Sequence, residues 1–207
     1  MDMDSLKAAS GVSQCIGCLC SLGCCAAQVT FIVYLGIFAF NNPDKEAWYG
    51  INATGQANLF AAESDATTTG DTELDDIHGK FVMWFLWGFI MSLAPCAAAP
   101  LMAIAGCIHL TLANVLGGIL SCGIGCGGLA WWISGIVWRF KASGAFAAGD
   151  SLTEEEFTAL DADKESLYQY RSGKFMLIYY LIIWSLMGCS ILSSLIGLIV
   201  TSTCMKG

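Results

Sequence analysis

The chain has 207 residues, of which 56% are hydrophobic and 13% charged, and its formal net charge is −8. A soluble domain usually carries about 25% charged residues, so a chain this apolar cannot cover itself with polar surface in water. The composition therefore excludes a soluble enzyme and predicts that the lipid bilayer is the main solvent. The negative charge also argues against binding to the phosphate backbone of nucleic acids.

Uncharged apolar runs predict four membrane-spanning helices, because a helix needs about 20 apolar residues to cross the hydrocarbon core. The first span lies within an uncharged run over residues 8–43. The second and third share the 58 residues 81–138, which contain no Lys, Arg, Asp or Glu. Prolines and a glycine place the break between them within residues 95–110. The predicted spans are residues 15–40, 81–105, 110–138 and 175–203.

Four spans place both termini on one face of the membrane and two acidic loops on the other. Loop 41–79 carries eight acidic residues and one Lys, and loop 141–173 carries seven acidic and three basic residues. Residues 1–207 then form a single domain, an all-α membrane protein with a four-transmembrane-helix bundle. In span count and loop placement it resembles tetraspan families such as the tetraspanins, claudins and MARVEL proteins. Their loop motifs are absent, so no residue role follows from the resemblance.

Two features disagree about which face is cytosolic. Seven of the nine Lys and Arg residues lie beside the loops, which favours cytosolic loops. All eleven cysteines lie in the spans or toward the termini, and free or S-acylated thiols are typical of the cytosolic side. The sequon at Asn52 makes this residue a candidate N-glycosylation site on an outward loop. On balance we expect a multi-pass protein of the plasma membrane or an endomembrane, with cytosolic termini.

Cysteines cluster at the start of the first span, where juxtamembrane thiols are typical S-acylation sites. A metal site and inert packing residues are the alternatives for this cluster, although structural metal sites normally lie in polar knuckles. The candidate S-acylation residues are Cys15, Cys18, Cys20, Cys24 and Cys25.

Small residues are frequent in the third and fourth spans, and they let helix backbones approach closely in lipid. Gly123 and Gly127 form a GxxxG pair. Packing within one bundle is the simpler use of these residues, and contact between copies of the chain is the other. The candidate packing and assembly residues are Gly117, Ser121, Gly123, Gly127, Gly188, Ser193 and Gly197.

Aromatic residues near the span ends predict a belt at the membrane interface. Trp48, Tyr49, Trp84, Trp131 and Tyr180 belong to this set. In the second loop, Thr153 and Glu156 have the spacing of a capping box and predict a short acidic helix through about residue 160.

The cores of the spans contain no ionisable residue, which argues against a pump or a proton-coupled transporter. No hydrolase, metalloprotease or P-loop motif is present, so we expect no catalytic residue, no metal and no cofactor. The sequence thus predicts a non-enzymatic structural protein that self-associates laterally and organises or shapes the membrane. Its expected partners are the lipid bilayer, copies of itself and other membrane proteins, but not nucleic acid. The alternatives are an accessory subunit of a larger complex and a pore-forming or transport subunit lined by Thr111, Asn114 and Ser121.

Overall fold

A computed structural model gives the structure of the protein and describes residues 25–71, 73–160 and 165–204. It is mostly helical, at 74%. In chain order the elements are α1 (Cys25–Phe40), β1 (Trp48–Ile51), β2 (Ala57–Phe60), α2 (Glu63–Thr68), β3 (Asp75–Asp76), α3 (Ile77–Ile108), α4 (Leu110–Phe140), α5 (Ala142–Ala147), α6 (Glu154–Thr158) and α7 (Tyr170–Cys204).

Three helices in the described part of the chain are long and apolar enough to cross a membrane: α3, α4 and the Tyr170–Ile196 part of α7. They confirm the second, third and fourth predicted spans, and α7 begins five residues before the predicted start. Only 6% of the most apolar window of α4 is buried within the chain, and 11% in the other two helices. Apolar helices exposed to this degree fit a membrane protein, in which lipid covers them. The described part of the first span, α1, is shorter than the thickness of a bilayer.

The chain reverses its direction at His109, between α3 and α4. In one continuous helix, residues 102 and 117 would lie more than about 20 Å apart at a rise of 1.5 Å per residue. Instead the side chain of Met102 lies against Gly117, and Gly106 lies close to Ala113. The two helices are therefore antiparallel, and the predicted break within residues 95–110 is confirmed. The prolines do not form the break, since α3 continues through both of them.

The chain divides into two compact units. The first contains α1 and Phe85–Gly128. Within this unit, α1 packs on α3 near Phe85. The rings of Phe38 and Phe85 stack there with their centroids 4.8 Å apart. A Cβ added to Gly36 would lie 3.1 Å from the ring of Phe89. A side chain at position 36 would therefore require the ring of Phe89 to shift by a few tenths of an ångström.

The second unit contains Asn42–Trp84 and the chain from Leu129 onward, and it includes a small antiparallel sheet in the order β2-β1-β3. Tyr49 pairs with Leu59 on one side and with Asp75 on the other. The last residue of β3, Asp76, caps α3 because its Oδ1 accepts a 2.7 Å hydrogen bond from the backbone N–H of Gly79. The all-α prediction does not include this sheet, which ties the first loop to the start of α3.

An aromatic cluster forms the helical core of the second unit. Trp84 stacks on Trp131 with ring centroids 4.9 Å apart, and the Trp131 Nε1–H donates to the carbonyl of Trp84 at 2.8 Å. The hydroxyl of Tyr180 donates to the carbonyl of Trp132 at 2.9 Å. Trp84 and Tyr180 are fully buried. The predicted interfacial belt is therefore wrong for these two side chains, which join α3, α4 and α7 rather than facing lipid.

Candidate association face and loop network

The small residues of α4 divide into two sets. Gly117 lies against the Sδ and Cε atoms of Met102, and Gly127 lies against the same atoms of Met91. These two glycines pack within the chain. By contrast, an added Cβ would meet no atom of the described residues within 4 Å at Gly118, Gly123, Gly125 or Gly128. The predicted GxxxG pair is thus split, with Gly127 turned inward and Gly123 open.

Gly118, Ser121, Gly125 and Gly128 follow one another at spacings of three, four and three residues, which places them on one face of α4. We call these four residues the open face. Gly118, Ser121 and Gly125 are exposed, and Gly128 is half-buried. The face has no side chain larger than a hydroxymethyl group, so a second helix could approach its backbone closely.

Of the candidate packing residues of α7, the structure describes the surroundings of Gly188 and Ser193. Gly188 is exposed and has open space around it within the described chain. Ser193 is also exposed, and its hydroxyl donates to the carbonyl of Cys189 at 2.8 Å, so the polar group is satisfied inside the helix. Gly197 belongs to α7, but its surroundings lie outside the description. Association through α7 therefore stays a prediction.

Of the candidate modification sites, the structure describes Cys25 and Asn52. Cys25 is exposed at the start of the described part of α1, whereas Cys15, Cys18, Cys20 and Cys24 lie outside the described residues. The sequon occupies the turn between β1 and β2. There the Asn52 Oδ1 accepts hydrogen bonds from the backbone N–H groups of Thr54 and Gln56 at 3.1 and 2.8 Å. Both modifications stay predictions.

No group of three or more His, Cys, Asp or Glu side chains that could hold a metal ion occurs among residues 25–71, 73–160 and 165–204. His78, next to Gly79 at the start of α3, instead has its Nδ1 at 2.9 Å from the Oε1 of Gln169. The predictions of no metal, no cofactor and no catalytic residue stay predictions.

Gln169 joins the two loops of the second unit. It is fully buried, and its Nε2 donates to the carbonyl of Lys45 at 2.6 Å. Its backbone N–H donates to the carbonyl of Ala147 at 2.8 Å. Three residues later in the same segment, the backbone N–H of Ser172 donates to Asp44 Oδ2 at 2.8 Å. Gln169 is uncharged and belongs to no motif, so its role in joining the loops could not be predicted from the sequence.

Arg139 is the buried cation of the second unit, with 1% of its surface exposed. Its Nη1 and Nη2 each donate to one carboxylate oxygen of Asp150 at 2.7 Å. Its Nε donates to the carbonyl of Gly173 at 2.8 Å. Such a bidentate pair is among the stronger polar contacts in proteins. Arg139 thereby fixes the end of α4 to the second loop and to the first turn of α7.

Asp75 is a buried carboxylate of the same unit, with 5% of its surface exposed. It forms an ion pair with Lys80, accepts a 2.8 Å hydrogen bond from the hydroxyl of Ser143, and lies 3.3 Å from the Nζ of Lys141. Burial raises the pKa of Asp75, but the hydrogen bonds from Lys80 and Ser143 and the charges of both lysines outweigh it, so the pKa is lowered. The native state therefore favours the ionised carboxylate.

This lowered pKa predicts an acid-sensitive fold. The unfolded-state pKa of an Asp is about 3.9, so the ionised carboxylate stabilises the native state fully above about pH 4. That stabilisation is lost as the pH falls further, through the native pKa. We expect the apparent melting temperature in detergent, followed by tryptophan fluorescence, to fall less between pH 6 and pH 2.5 in Asp75→Asn than in the wild type. Glu46→Gln, which alters an exposed carboxylate, is the matched control. Identical acid sensitivity in all three proteins would contradict the role given to Asp75.

No protein-family model, curated protein or solved structure matches this chain. Its function is therefore argued from its own geometry. The two features that bear on function are the open face of α4 and the polar network that joins the two loops.

Proposed function

We propose that this chain is a non-enzymatic tetraspan membrane protein that self-associates laterally through α4 and organises the membrane around it. The observation that carries the proposal is the open face. Lipid tails are as apolar as the helices, so helices associate in a bilayer through close van der Waals packing rather than through the hydrophobic effect. Gly118, Ser121 and Gly125 form an exposed row of small residues, which is suited to such packing against a second copy.

The proposed topology has four spans, with α1 as the described part of the first span, residues 15–40. Its support is the uncharged sequence that precedes α1 from residue 8. The loops support the proposed one-sided arrangement, because they bond directly to each other through Gln169 and Lys45 and through Lys141 and Asp75. Loops on opposite sides of a bilayer could not make these contacts. Both termini then lie on the other side, which we assign to the cytosol.

The membrane we propose is the plasma membrane or an endomembrane, with the loops facing outward. The exposed turn that carries Asn52 suits an outward loop, and the exposed thiol of Cys25 suits S-acylation near the cytosolic headgroups. The partners in this proposal are lipids, further copies of the chain and other membrane proteins.

Closing the open face with large side chains tests the proposal. We expect the double variant Gly118→Leu, Gly125→Leu to associate at least tenfold more weakly than the wild type, because isobutyl groups hold the facing backbone away. The helix itself should not weaken, since Gly is about 1 kcal/mol less favourable than Ala in helices and Leu is close to Ala. Energy transfer between labelled copies in liposomes, measured over a range of protein-to-lipid ratios, gives the association constant.

Ala130→Leu is the matched control, because it adds the same bulk at an exposed small residue on another side of α4. It should associate like the wild type. Association that is unchanged in the double variant, or weakened equally by both changes, would remove α4 as the proposed interface.

A pore is the second candidate function, and one observation favours it. Thr111 and Asn114 continue the spacing of the open face toward the start of α4, and both are exposed. Together with Ser121 they give this face three polar side chains, which would line an aqueous path if several copies placed the face around an axis. A closed interface would instead use them as hydrogen-bonding groups between helices. Efflux of a small cation from proteoliposomes distinguishes a pore from a closed interface.

A further inference from the structure

A partly open cavity of about 210 Å³ lies in the second unit, where the two loops meet the start of α7. One side comes from Asp44 and Lys45, which follow α1 closely in the chain. Another comes from Tyr170 and Arg171, the first two residues of α7. Phe157 of α6 contributes an apolar surface. Because the ends of spanning helices lie at the membrane surface, this cavity is at the depth of lipid headgroups.

The cavity has two cations available for a ligand. The side chains of Lys45 and Arg171 are exposed, and neither forms an ion pair with any other residue that the structure describes. The fold uses only the backbone carbonyl of Lys45, which accepts the hydrogen bond from Gln169. A guanidinium and an ammonium at one cavity are suited to a phosphate group.

Two carboxylates balance these cations. Glu165 is exposed at the cavity, and Asp44 lines it with a carboxylate whose Oδ2 already accepts from the N–H of Ser172. Among the described residues that line the cavity, two positive and two negative side chains therefore balance in charge. A purely anionic ligand would meet these carboxylates as well as the strongly acidic loops, and a purely cationic ligand would meet the two cations.

Aromatic rings form a fixed apolar wall. Phe157 stacks on Tyr170 with ring centroids 4.5 Å apart, and Tyr168 meets Phe157 edge-on at 5.8 Å. The Nζ of Lys174 donates to the hydroxyl of Tyr170 at 3.2 Å and lies 5.1 Å from the centre of its ring, so this ring is held from within α7. Aromatic surfaces of this kind favour alkylammonium groups as well as acyl glycerol carbons.

We propose that this cavity binds the headgroup of a zwitterionic phospholipid. The phosphate lies toward Lys45 and Arg171, and the ammonium lies toward Glu165, Asp44 and the aromatic wall. A cavity of about 210 Å³ suits a small group such as a phosphate ester with a short amine arm. Drug-sized ligands need about 300 Å³ or more. The site requires the helices to cross a membrane but does not require self-association.

Lipid titration of the full chain in detergent, followed by native mass spectrometry, tests the site. We expect phosphatidylcholine to bind more tightly than phosphatidylglycerol or diacylglycerol with the same acyl chains. Lys45→Gln and Arg171→Gln should each weaken phosphatidylcholine binding about tenfold, the loss expected for one charge-assisted hydrogen-bonding group. Lys141→Gln removes a cation of the same unit outside the cavity and should leave the affinity unchanged.

Both cavity substitutions alter exposed side chains, so their melting temperatures should equal that of the wild type and confirm that the fold is intact. Equal binding of the three lipids, or unchanged binding in the Lys45→Gln, Arg171→Gln double variant, would overturn the proposal. Glycerophosphocholine serves as the soluble source of the same headgroup. If it binds as tightly as phosphatidylcholine, the ligand is a free phosphoester and not a membrane lipid.

Discussion

Asp150→Asn is expected to lower the free energy of unfolding by about 3 kcal/mol, because it leaves a buried guanidinium without its counter-charge. Arg139 is 1% exposed, and its two Nη atoms donate 2.7 Å hydrogen bonds to the Asp150 carboxylate. The side chain of Asp150 is 39% exposed, so we place the cost at the low end of the range for buried pairs. The effect should appear as a lower denaturation midpoint in detergent.

A double-mutant cycle separates this pair from a general effect of losing a surface charge. In an Arg139→Met background the buried charge is gone, so adding Asp150→Asn should cost less than half of its cost in the wild type. Glu46→Gln, at an exposed carboxylate, should change the midpoint little in either background. Strictly additive effects of the two changes would show that Arg139 and Asp150 do not stabilise the fold as a pair.

Gly135→Ala is expected to lower the free energy of unfolding by about 2–3 kcal/mol, the usual cost of adding a group to a filled core. A Cβ at this position would overlap both the Nε1 of Trp84 and the hydroxyl of Tyr180. Both residues are fully buried at the centre of the aromatic cluster, so neither ring can move aside without losing its packing. The expected loss of stability is informative, because Ala in place of Gly normally stabilises a helix interior by about 1 kcal/mol.

Gly123→Ala is the matched control for this change. It lies in the same helix, and an added Cβ there meets no described atom within 4 Å. Denaturation in detergent should therefore show a small gain or no change for Gly123→Ala and a clear loss for Gly135→Ala. A melting temperature that rises in both variants would mean that the aromatic cluster is not packed on Gly135.

The sequence predicted the long helices well because the physical signal is simple: a run of about 20 apolar residues without charge has to lie in lipid. The break near His109 lies within the predicted range 95–110, although α3 continues through the two prolines on which that prediction rested. The capping box was predictable, since it depends only on residues three apart. In the structure the Thr153 backbone N–H donates to the Glu156 Oε2 at 2.8 Å, and the Glu156 N–H donates to the Thr153 Oγ1 at 3.3 Å.

Features that depend on long-range partners were not predictable. The strands are only four, four and two residues long, too short for an alternating pattern to be read. Trp84 has the sequence signature of an interfacial residue, and only its stacking on Trp131 assigns it to the core. Likewise, Gly127 and Gly125 look alike in sequence. Their different roles follow from Met91, which covers the first of them.

The polar contacts of the loops were missed for a related reason. In the sequence, Arg139 is only a charge at the end of a predicted span, because nothing there shows that Asp150 and the carbonyl of Gly173 meet it. Gln169 carries no charge and belongs to no motif. Contacts of this kind become visible only when both loops are in place.

Self-association through α4 is the central claim, and the mass and symmetry of the particle test it most directly. Cryo-EM imaging of the protein extracted from its native membrane in mild detergent gives both. We predict a homomeric ring, sheet or tube in which Gly118, Ser121 and Gly125 of one copy face α4 of the next. The absence of an axial hole would assign the assembly to membrane organisation, and a hole would assign it to a pore. A lone monomer, or a single copy among unrelated chains, would contradict self-association.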